Sequence, residues 1–185
     1  MRIAVYSGSF DPLHIGHLAI IKAVCQSGDF DALYLIVSPQ NPLKDSLKAR
    51  NAEQRLTAAR EAMGRHPELK VKVDDIEFGM DAPHYTIKTL DALREREPDN
   101  EFTLVIGADN LELLHRWKES EKILHEYGVL VFPRDGFDSV STRKRMLEED
   151  PARRIQLIDA PLVNISSTQI REGLAKGHDM SKYMI

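Results

Sequence analysis

Two histidines near the start of the chain have a spacing that suits phosphate binding. The apolar run Arg2–Tyr6 is followed by the turn Gly8–His17, a pattern typical of a strand that leads sharply into a helix. His14 and His17 are three residues apart, so on the first turn of a helix they share one face. Free backbone N–H groups and the positive end of the helix dipole converge at such a turn. The pattern therefore predicts two hydrogen-bond donors directed at one anion, such as a phosphate chain.

A second candidate anion site is the segment Ile165–Arg171 near the end of the chain. Ser166 is a good N-cap, and Gln169 three residues later completes a capping box. By itself this pair indicates no more than the start of a helix. Arg171 adds a guanidinium about one and a half turns into that helix, from where it can fold back and hold an anion with two hydrogen bonds. Together the two segments fit a triphosphate better than a single phosphate.

Strand-like and helix-like segments alternate along nearly the whole chain. Apolar runs predict strands at Arg2–Tyr6, Ala32–Val37, Lys70–Asp74, Glu101–Ile106, Gly128–Phe132 and Arg154–Ile158. Spacing and capping signals predict helices at Ile15–Gln26, Asn51–Arg65, Thr86–Arg96, in pieces within Leu111–Tyr127, at Ser141–Glu149 and at Ser166–Lys176. This alternation predicts an α/β fold, a Rossmann-like doubly wound parallel sheet of five to six strands with helices on both faces.

Polar residues that could bind a ligand follow several of the predicted strands. They are the segments Gly8–His17, Ser38–Lys44, Gly107–Asp109 and Ile165–Arg171, together with Arg134. In a doubly wound sheet, ligands bind outside the carboxyl ends of the strands, where the direction of winding reverses. We therefore expect these residues to meet at one edge of the sheet.

The composition is that of an ordinary soluble protein and argues against several other classes. The 185 residues, 42% hydrophobic and 29% charged, predict a single domain over residues 1–185. A net charge of −4 argues against a nucleic-acid partner. The N-terminal apolar run is too short for a signal peptide or a membrane span, and Cys25, the one cysteine, excludes a disulfide framework. We expect a cytoplasmic protein with no membrane partner, and a homo-oligomer is left open.

At the two anion-binding segments the chain resembles a known superfamily. The segment Gly8–His17 is similar to the H-x-G-H signature of nucleotidyltransferases, and Ile165–Arg171 is similar to the I-S-S-T-x-[IV]-R motif of the adenylyltransferases among them. The resemblance covers essentially the whole chain and is strongest to the nicotinate-nucleotide adenylyltransferase family. One departure is Ser9, which stands where that family usually has a second glycine. The markers of the narrower family are Pro39–Lys44, Tyr85–Leu90, Ile106–Asn110, Trp117 and Phe132–Arg134.

The resemblance implies an enzyme that transfers AMP from ATP to nicotinate mononucleotide, giving deamido-NAD and pyrophosphate in NAD biosynthesis. The attacking phosphate is already an anion, so a direct in-line displacement needs no general base and no covalent intermediate. Mg²⁺ would enter with ATP, and we expect no dedicated carboxylate cage for it. The implied catalytic residues are His14, His17 and Arg171. The implied ATP-binding residues are Gly8, Ser9, Phe10, His14, His17, Gly107, Asp109, Ile165, Ser166, Ser167, Thr168 and Arg171.

Several residues expected to bind the acceptor mononucleotide also have a purely structural interpretation. The resemblance implies that Trp117 stacks on the nicotinate ring, although a lone tryptophan is equally often an anchor in the core. Thr86 has a second interpretation as the N-cap of a helix. The five histidines outside the turn are interpreted as surface residues. The residues expected to bind the mononucleotide are Asn41, Lys44, Tyr85, Thr86, Trp117 and Arg134.

Three alternative functions remain open at this point. The acceptor of the adenylyl group could be nicotinamide mononucleotide, because the acid and the amide differ by one carboxylate that backbone N–H groups could recognise. It could also be phosphopantetheine, although the segment from Gly107 to Trp117 counts against that family. A non-catalytic nucleotide sensor is the alternative from another class, and the intact His14, His17 and Arg171 argue against it.

Overall fold

Six short strands form one parallel sheet in the computed structural model, which describes residues 1–39 and 51–185. They lie in the order β3-β2-β1-β4-β5-β6, and each neighbouring pair is parallel. The predicted Rossmann-like sheet is thereby confirmed. The strands are β1 (Arg2–Gly8), β2 (Ala32–Val37), β3 (Val71–Asp74), β4 (Glu101–Gly107), β5 (Val129–Phe132) and β6 (Ile155–Leu157).

Helices connect these strands and cover both faces of the sheet. Short 3₁₀ turns occur at Ile76–Gly79, Leu114–Arg116 and Ser181–Tyr183, and a π-helical turn at Ile123–Tyr127 continues α5. Within the two described ranges, no helix is both long and apolar enough to cross a bilayer. The helices are α1 (Ile15–Gln26), α2 (Ala52–Gly64), α3 (Thr86–Arg96), α4 (Ala108–Leu113), α5 (Ser120–Lys122), α6 (Ser139–Glu149) and α7 (Ser167–Ala175).

The sheet separates two hydrophobic clusters. Along β1, Ile3 and Val5 face a cluster built with α3, α4 and α6, whereas Ala4 and Tyr6 face a cluster built with α1 and α2. Successive residues of a strand point to opposite faces, so a strand between two helical layers must be apolar on both. This requirement explains the near-continuous apolar runs of the sequence.

The direction of winding reverses between β1 and β4. The chain moves outward from β1 through β2 to β3, then returns to β4 on the other side of β1 and continues to β5 and β6. The connections that leave β1 and β4 therefore diverge, and a crevice opens at their carboxyl ends. The predicted ligand-binding segments follow strands that end at this edge of the sheet.

Two capping boxes predicted from the sequence are confirmed. Asn51 accepts from the N–H of Gln54 at 2.8 Å, and the Gln54 side chain accepts from the N–H of Asn51 at 3.2 Å. Ser166 and Gln169 exchange the same pair of bonds at 3.1 and 2.9 Å. The second box fixes where α7 begins, at the site of the predicted anion-binding arginine.

One capping assignment and one helix start differ from the prediction. Helix α3 spans the predicted Thr86–Arg96, but its N-cap is Tyr85, so the interpretation of Thr86 as N-cap was wrong. Helix α6 begins at Ser139 rather than at Ser141. The side chain of Asp138 caps it by accepting from the third N–H of the helix at 3.1 Å, which draws the preceding two residues into the first turn.

Candidate active site

The two histidines of the first turn cap helix α1. The Nδ1 atom of His14 accepts a hydrogen bond from the backbone N–H of Gly16 at 3.0 Å. The Nδ1 atom of His17 accepts from the backbone N–H of His14 at 3.2 Å. The rings stack with their centroids 3.7 Å apart and their planes at 28°. Both imidazoles are thus held side by side at the start of the helix.

The same two bonds fix the form in which the rings are protonated. An Nδ1 atom that accepts a hydrogen bond carries no proton, so each neutral ring has its proton on Nε2 and donates from there. Burial, together with the nearby Arg134 guanidinium, lowers the pKa of His14 to about 4. Burial also holds the pKa of His17 well below its usual range, and the Arg134 guanidinium and repulsion from a protonated His14 act in the same direction. At neutral pH the pair therefore offers two uncharged N–H donors.

The glycine between the histidines is required by this arrangement. A Cβ atom built on Gly16 would lie 2.8 Å from Cε1 and 2.9 Å from Nδ1 of the His14 ring. It would also meet the side chain of Ile165 at 3.8 Å, in the second predicted segment. The glycine of the H-x-G-H spacing is thus explained by the His14 ring, which folds back over the start of its own helix. Any side chain at position 16 would collide with that ring.

The turn before α1 is built around an aromatic side chain. Phe10 has a φ of +48°, in the left-handed region, and its ring is buried. That ring lies edge-on to His17, with the centroids 5.1 Å apart, and to Tyr6, with the centroids 5.4 Å apart. Gly8 ends β1 directly beneath the ring, and Ser9 follows it. The phosphate-binding turn expected from the sequence is therefore a packed loop.

Helix α7 is hydrogen-bonded to this turn. The Ser167 hydroxyl donates to the carbonyl of Pro12 at 2.9 Å. The guanidinium of Arg171 donates to the carbonyl of Asp11 and, at 3.2 Å, to the Thr168 hydroxyl. The two predicted anion-binding segments, more than 150 residues apart in the chain, thus form one unit. Arg171 lies at the junction between them.

A cleft of about 530 Å³ opens beside this unit. Its size is that of a small-ligand site, and its wall combines donors with apolar side chains. The cleft is lined by Tyr6, His14, Gly16, His17, Ile20, residues 132–135, residues 160–165, Ser166 and Ser167.

Arg134 lines this cleft and also contacts Asp109, which follows the end of β4. Its Nε atom lies 3.7 Å from Oδ1 of Asp109. A Cβ on Gly107 would lie 2.5 Å from that oxygen and 3.1 Å from the Nε atom, so a larger residue there would displace the pair. The sequence assigned Asp109 to ATP and Arg134 to the acceptor, and the structure places the two side chains together at the carboxyl end of β4.

Tyr85, Thr86 and Trp117, three of the predicted acceptor residues, lie on the face of the sheet that α3 covers. Tyr85, at the start of α3, is 40% exposed, and the Lys118 ammonium lies 4.7 Å from its ring centroid. Lys118 follows Trp117, which is partly buried and packs against the core cluster of that face. Trp117 is therefore a core contact whose side chain remains partly exposed. Asn41 and Lys44 lie outside the described residues.

Sequence reasoning missed three inward-facing polar groups. Arg55 on α2 is fully buried and donates to the carbonyls of Ser9 and Ser38, each at 2.7 Å. Glu77 is 3% exposed. His84, interpreted as a surface residue, is half-buried and contacts the Met80 carbonyl at 3.0 Å. Charged residues in amphipathic segments usually face solvent, so their residue types alone gave no signal.

Two carboxylates near the cleft are candidates for holding a divalent metal ion. Asp135 lines the cleft, and Asp109 is paired with Arg134. One or two protein carboxylates can suffice for such an ion when other oxygen ligands complete its shell. In residues 1–39 and 51–185, a closer group of three candidate ligands occurs away from the cleft, at Glu121, His125 and Asp150.

The fold and the two joined helix starts define a nucleotide-binding α/β protein, and comparison with known proteins narrows the class. Residues 5–173 match the cytidylyltransferase-like family. A probable nicotinate-nucleotide adenylyltransferase of Flavobacterium johnsoniae is 37% identical over 97% of this chain and 90% of its own. One from Bacteroides fragilis is 39% identical over 99% of this chain and 87% of its own. The chain belongs to the cytidylyltransferase-like family and, within it, to the nicotinate-nucleotide adenylyltransferase family.

Solved structures agree at the level of the fold. The nicotinic acid mononucleotide adenylyltransferase of Plasmodium falciparum complexed with NaAD superposes with a TM-score of 0.80 at 22% identity, covering 99% of this chain and 90% of that one. The same enzyme complexed with APC gives a TM-score of 0.79 at 21% identity over the same shares. These proteins and this chain therefore share one fold.

Replacing Gly16 with alanine should displace the His14 ring and impair any activity of the site. The added Cβ collides with the ring, so the hydrogen bond to the Gly16 N–H is lost and both donors move. We expect turnover to fall at least about tenfold, the size of effect that misplaced transition-state donors produce. Gly64→Ala is the matched control, because a Cβ there meets nothing within 4 Å. Equal turnover in the two variants would contradict the role given to the histidine pair.

The low pKa of His14 predicts that acid weakens the fold. His14 takes up a proton near pH 6.5 when unfolded but only near pH 4 when folded. Between these values the unfolded chain binds more protons, so the free energy of unfolding decreases as the pH falls through this window. Urea denaturation at about pH 7 and about pH 5 should show a larger loss for the wild type than for His14→Gln, which cannot titrate. The same loss in both proteins would show that His14 is not held neutral.

Proposed function

We propose that this protein transfers AMP from ATP to nicotinate mononucleotide and releases deamido-NAD and pyrophosphate, a step of NAD biosynthesis. The observation that carries the proposal is the pair of neutral imidazole donors at the start of α1, hydrogen-bonded through one turn to the start of α7. Two helix starts that face one cleft suit a chain of phosphates. The names of the relatives at 37% and 39% identity support the same acceptor.

The reaction needs positioning and charge stabilisation more than proton transfer. The attacking group is the phosphate of the mononucleotide, which is an anion at neutral pH and attacks the α-phosphorus in line with the departing pyrophosphate. His14 and His17 would donate from Nε2 to the phosphate oxygens on which negative charge grows. Because both rings are neutral, they serve as donors and not as acids. Arg171 would hold the pyrophosphate, with help from the hydroxyls of Ser166 and Thr168.

A divalent metal ion, Mg²⁺ in this proposal, would accompany the triphosphate and neutralise part of its charge. Asp109 and Asp135 are the carboxylates near the cleft that could meet it, directly or through water. The protein's own contribution is then the orientation of the phosphate chain. Gly107 and Asp109 would lie along the adenosine, at the end of β4.

The acceptor would enter from the side of α3. Trp117 would stack on the pyridine ring, next to Tyr85 and Thr86, and its half-buried position leaves one part of the ring to a ligand. Arg134 would meet the acceptor phosphate where it approaches the histidines, since it lines the same cleft. Asn41 and Lys44 are proposed as further contacts on the strength of the sequence alone.

We assign this activity to one domain of residues 1–185, because both hydrophobic clusters pack on the same sheet. The cytoplasmic location, the absence of a nucleic-acid partner and the open question of a homo-oligomer stay as predictions from the sequence. None of them alters the chemistry of the site.

Pyrophosphate release tests the reaction and its acceptor. The protein should release pyrophosphate with ATP, Mg²⁺ and nicotinate mononucleotide, and much less with nicotinamide mononucleotide or phosphopantetheine. Equal rates with the acid and the amide would remove the proposed preference. Release with none of the three acceptors would refute the enzymatic function and favour a nucleotide sensor.

Trp117→Ala should weaken binding of the acceptor more than binding of ATP. Loss of a stacked aromatic contact removes about 1–3 kcal/mol, so we expect the KM for nicotinate mononucleotide to rise about tenfold or more. Leu147→Ala is the control, because Leu147 packs against the same core cluster from α6. Both variants should lose stability, but the Leu147 variant should keep its KM. A Trp117 variant that changes only in thermal stability would show that the ring is a core anchor and nothing more.

A further inference from the structure

A buried carboxyl group lies beneath the carboxyl ends of β1 and β2, and the proposed reaction does not use it. Glu77, on the 3₁₀ turn Ile76–Gly79, is 3% exposed. Its Oε2 atom lies 3.5 Å from the hydroxyl of Ser7, and its Oε1 atom lies 3.4 Å from the hydroxyl of Ser38. Burial raises the pKa of this carboxyl. An acid is seldom buried without a specific role for its hydrogen bonds.

A small cavity adjoins Glu77 on the side of α3. Its volume is about 20 Å³, which is enough for one water molecule. Thr89 lines it and is 3% exposed, and its hydroxyl has no hydrogen-bond partner among the residues that the structure describes. A buried hydroxyl without a partner is costly, so a polar occupant is required. The wall consists of Val5, Ser7, Glu77, His84, Thr86, Thr89, Leu90 and Leu104.

The cavity lies between the end of β1, which leads into the histidine turn, and the start of α3, where the acceptor is proposed to bind. Ser7 is the next-to-last residue of β1, is exposed, and directly precedes the turn that carries the histidines. Thr86 opens α3 and follows Tyr85, on the acceptor side. Thr89 is one turn further along the same helix. An occupant of the cavity therefore contacts both the end of β1, directly before the histidine turn, and the start of α3.

We propose that this cavity holds one water molecule, hydrogen-bonded to Glu77 and to the Thr89 hydroxyl, and that Glu77 acts through it as a positioning residue for the acceptor site. Glu77 holds the hydroxyls of Ser7 and Ser38 on one side and the first turn of α3 on the other. The distance between the histidine turn and Tyr85–Thr86 is thereby fixed. The role in catalysis rests on the proposed function, whereas the water site does not.

The hydrogen-bonding role predicts a selective defect in two near-isosteric variants. In Glu77→Gln the amide cannot accept all the bonds of the carboxyl, so we expect the KM for nicotinate mononucleotide to rise about five- to tenfold. Thr89→Val removes the hydroxyl and should raise the same constant about threefold. In both variants the KM for ATP should change by less than about twofold, because the histidine turn keeps its own hydrogen bonds. This split between the two substrates is a readout that a general loss of stability would not produce.

Thr142→Val is the matched control for the threonine variant. Thr142 is also buried, at 7% exposure, and its hydroxyl donates to the Asp138 carbonyl at 3.0 Å on α6. Its loss should lower the free energy of unfolding and leave both KM values as in the wild type. Glu97→Gln is the matched control for Glu77→Gln. Glu97 accepts from the Tyr34 hydroxyl at 2.7 Å at the opposite end of α3, so this variant should also leave both KM values unchanged.

A crystal structure at high resolution tests the water site without any assay. The wild type should show one ordered water within hydrogen-bond distance of Glu77 and Thr89, and Thr89→Val should lack it. A cavity without ordered water in the wild type overturns the site. Equal changes in both KM values, or a defect confined to stability, overturn the positioning role. An inactive wild type that still holds the water would refute the proposed function alone, and if Glu77→Gln does not fold, Thr89→Val decides.

Discussion

The hydrogen bond from the Gly16 N–H to His14 Nδ1 is the interaction on which the rest of the site depends. It starts α1 and sets the tautomer of the His14 ring, and a second bond, from the His14 N–H to His17 Nδ1, holds the second histidine against the first. In each ring the backbone occupies Nδ1, which leaves Nε2 to donate. The helix start is therefore at once a structural cap and a pair of oriented donors.

The parallel sheet gives this cap its partners. All six strands end at the same edge, and the reversal of winding between β1 and β4 opens that edge to a ligand. Ser167 and Arg171 then attach the last helix to the first turn. Because these bonds run between backbone carbonyls and side chains, the positions of the donors depend on the course of the main chain more than on any single packing contact.

Most of the fold and the outline of the site could be predicted from the sequence, because both leave local signals. Apolar runs marked all six strands, and the capping residues Asn51 and Ser166 marked two helix starts. The pairing of Arg134 with Asp109 could not be predicted, since it joins the ends of two strands and depends on their register. The burial of Arg55 and Glu77 could not be predicted for another reason. A charged side chain is buried only where carbonyls or hydroxyls surround it, and those groups come from distant parts of the chain.

The neutrality of the histidine pair has a consequence for catalysis. An imidazolium would attract the phosphates of ATP strongly before any reaction, and such uniform binding does not lower the barrier from the bound state. A neutral N–H donor binds the ground state weakly and gains most when charge accumulates on the oxygen that it faces. Burial and the charge of Arg134 both disfavour protonation of the pair. In the proposed reaction the site would therefore separate two tasks, with the permanent charge on its arginines and the response to developing charge on its imidazoles.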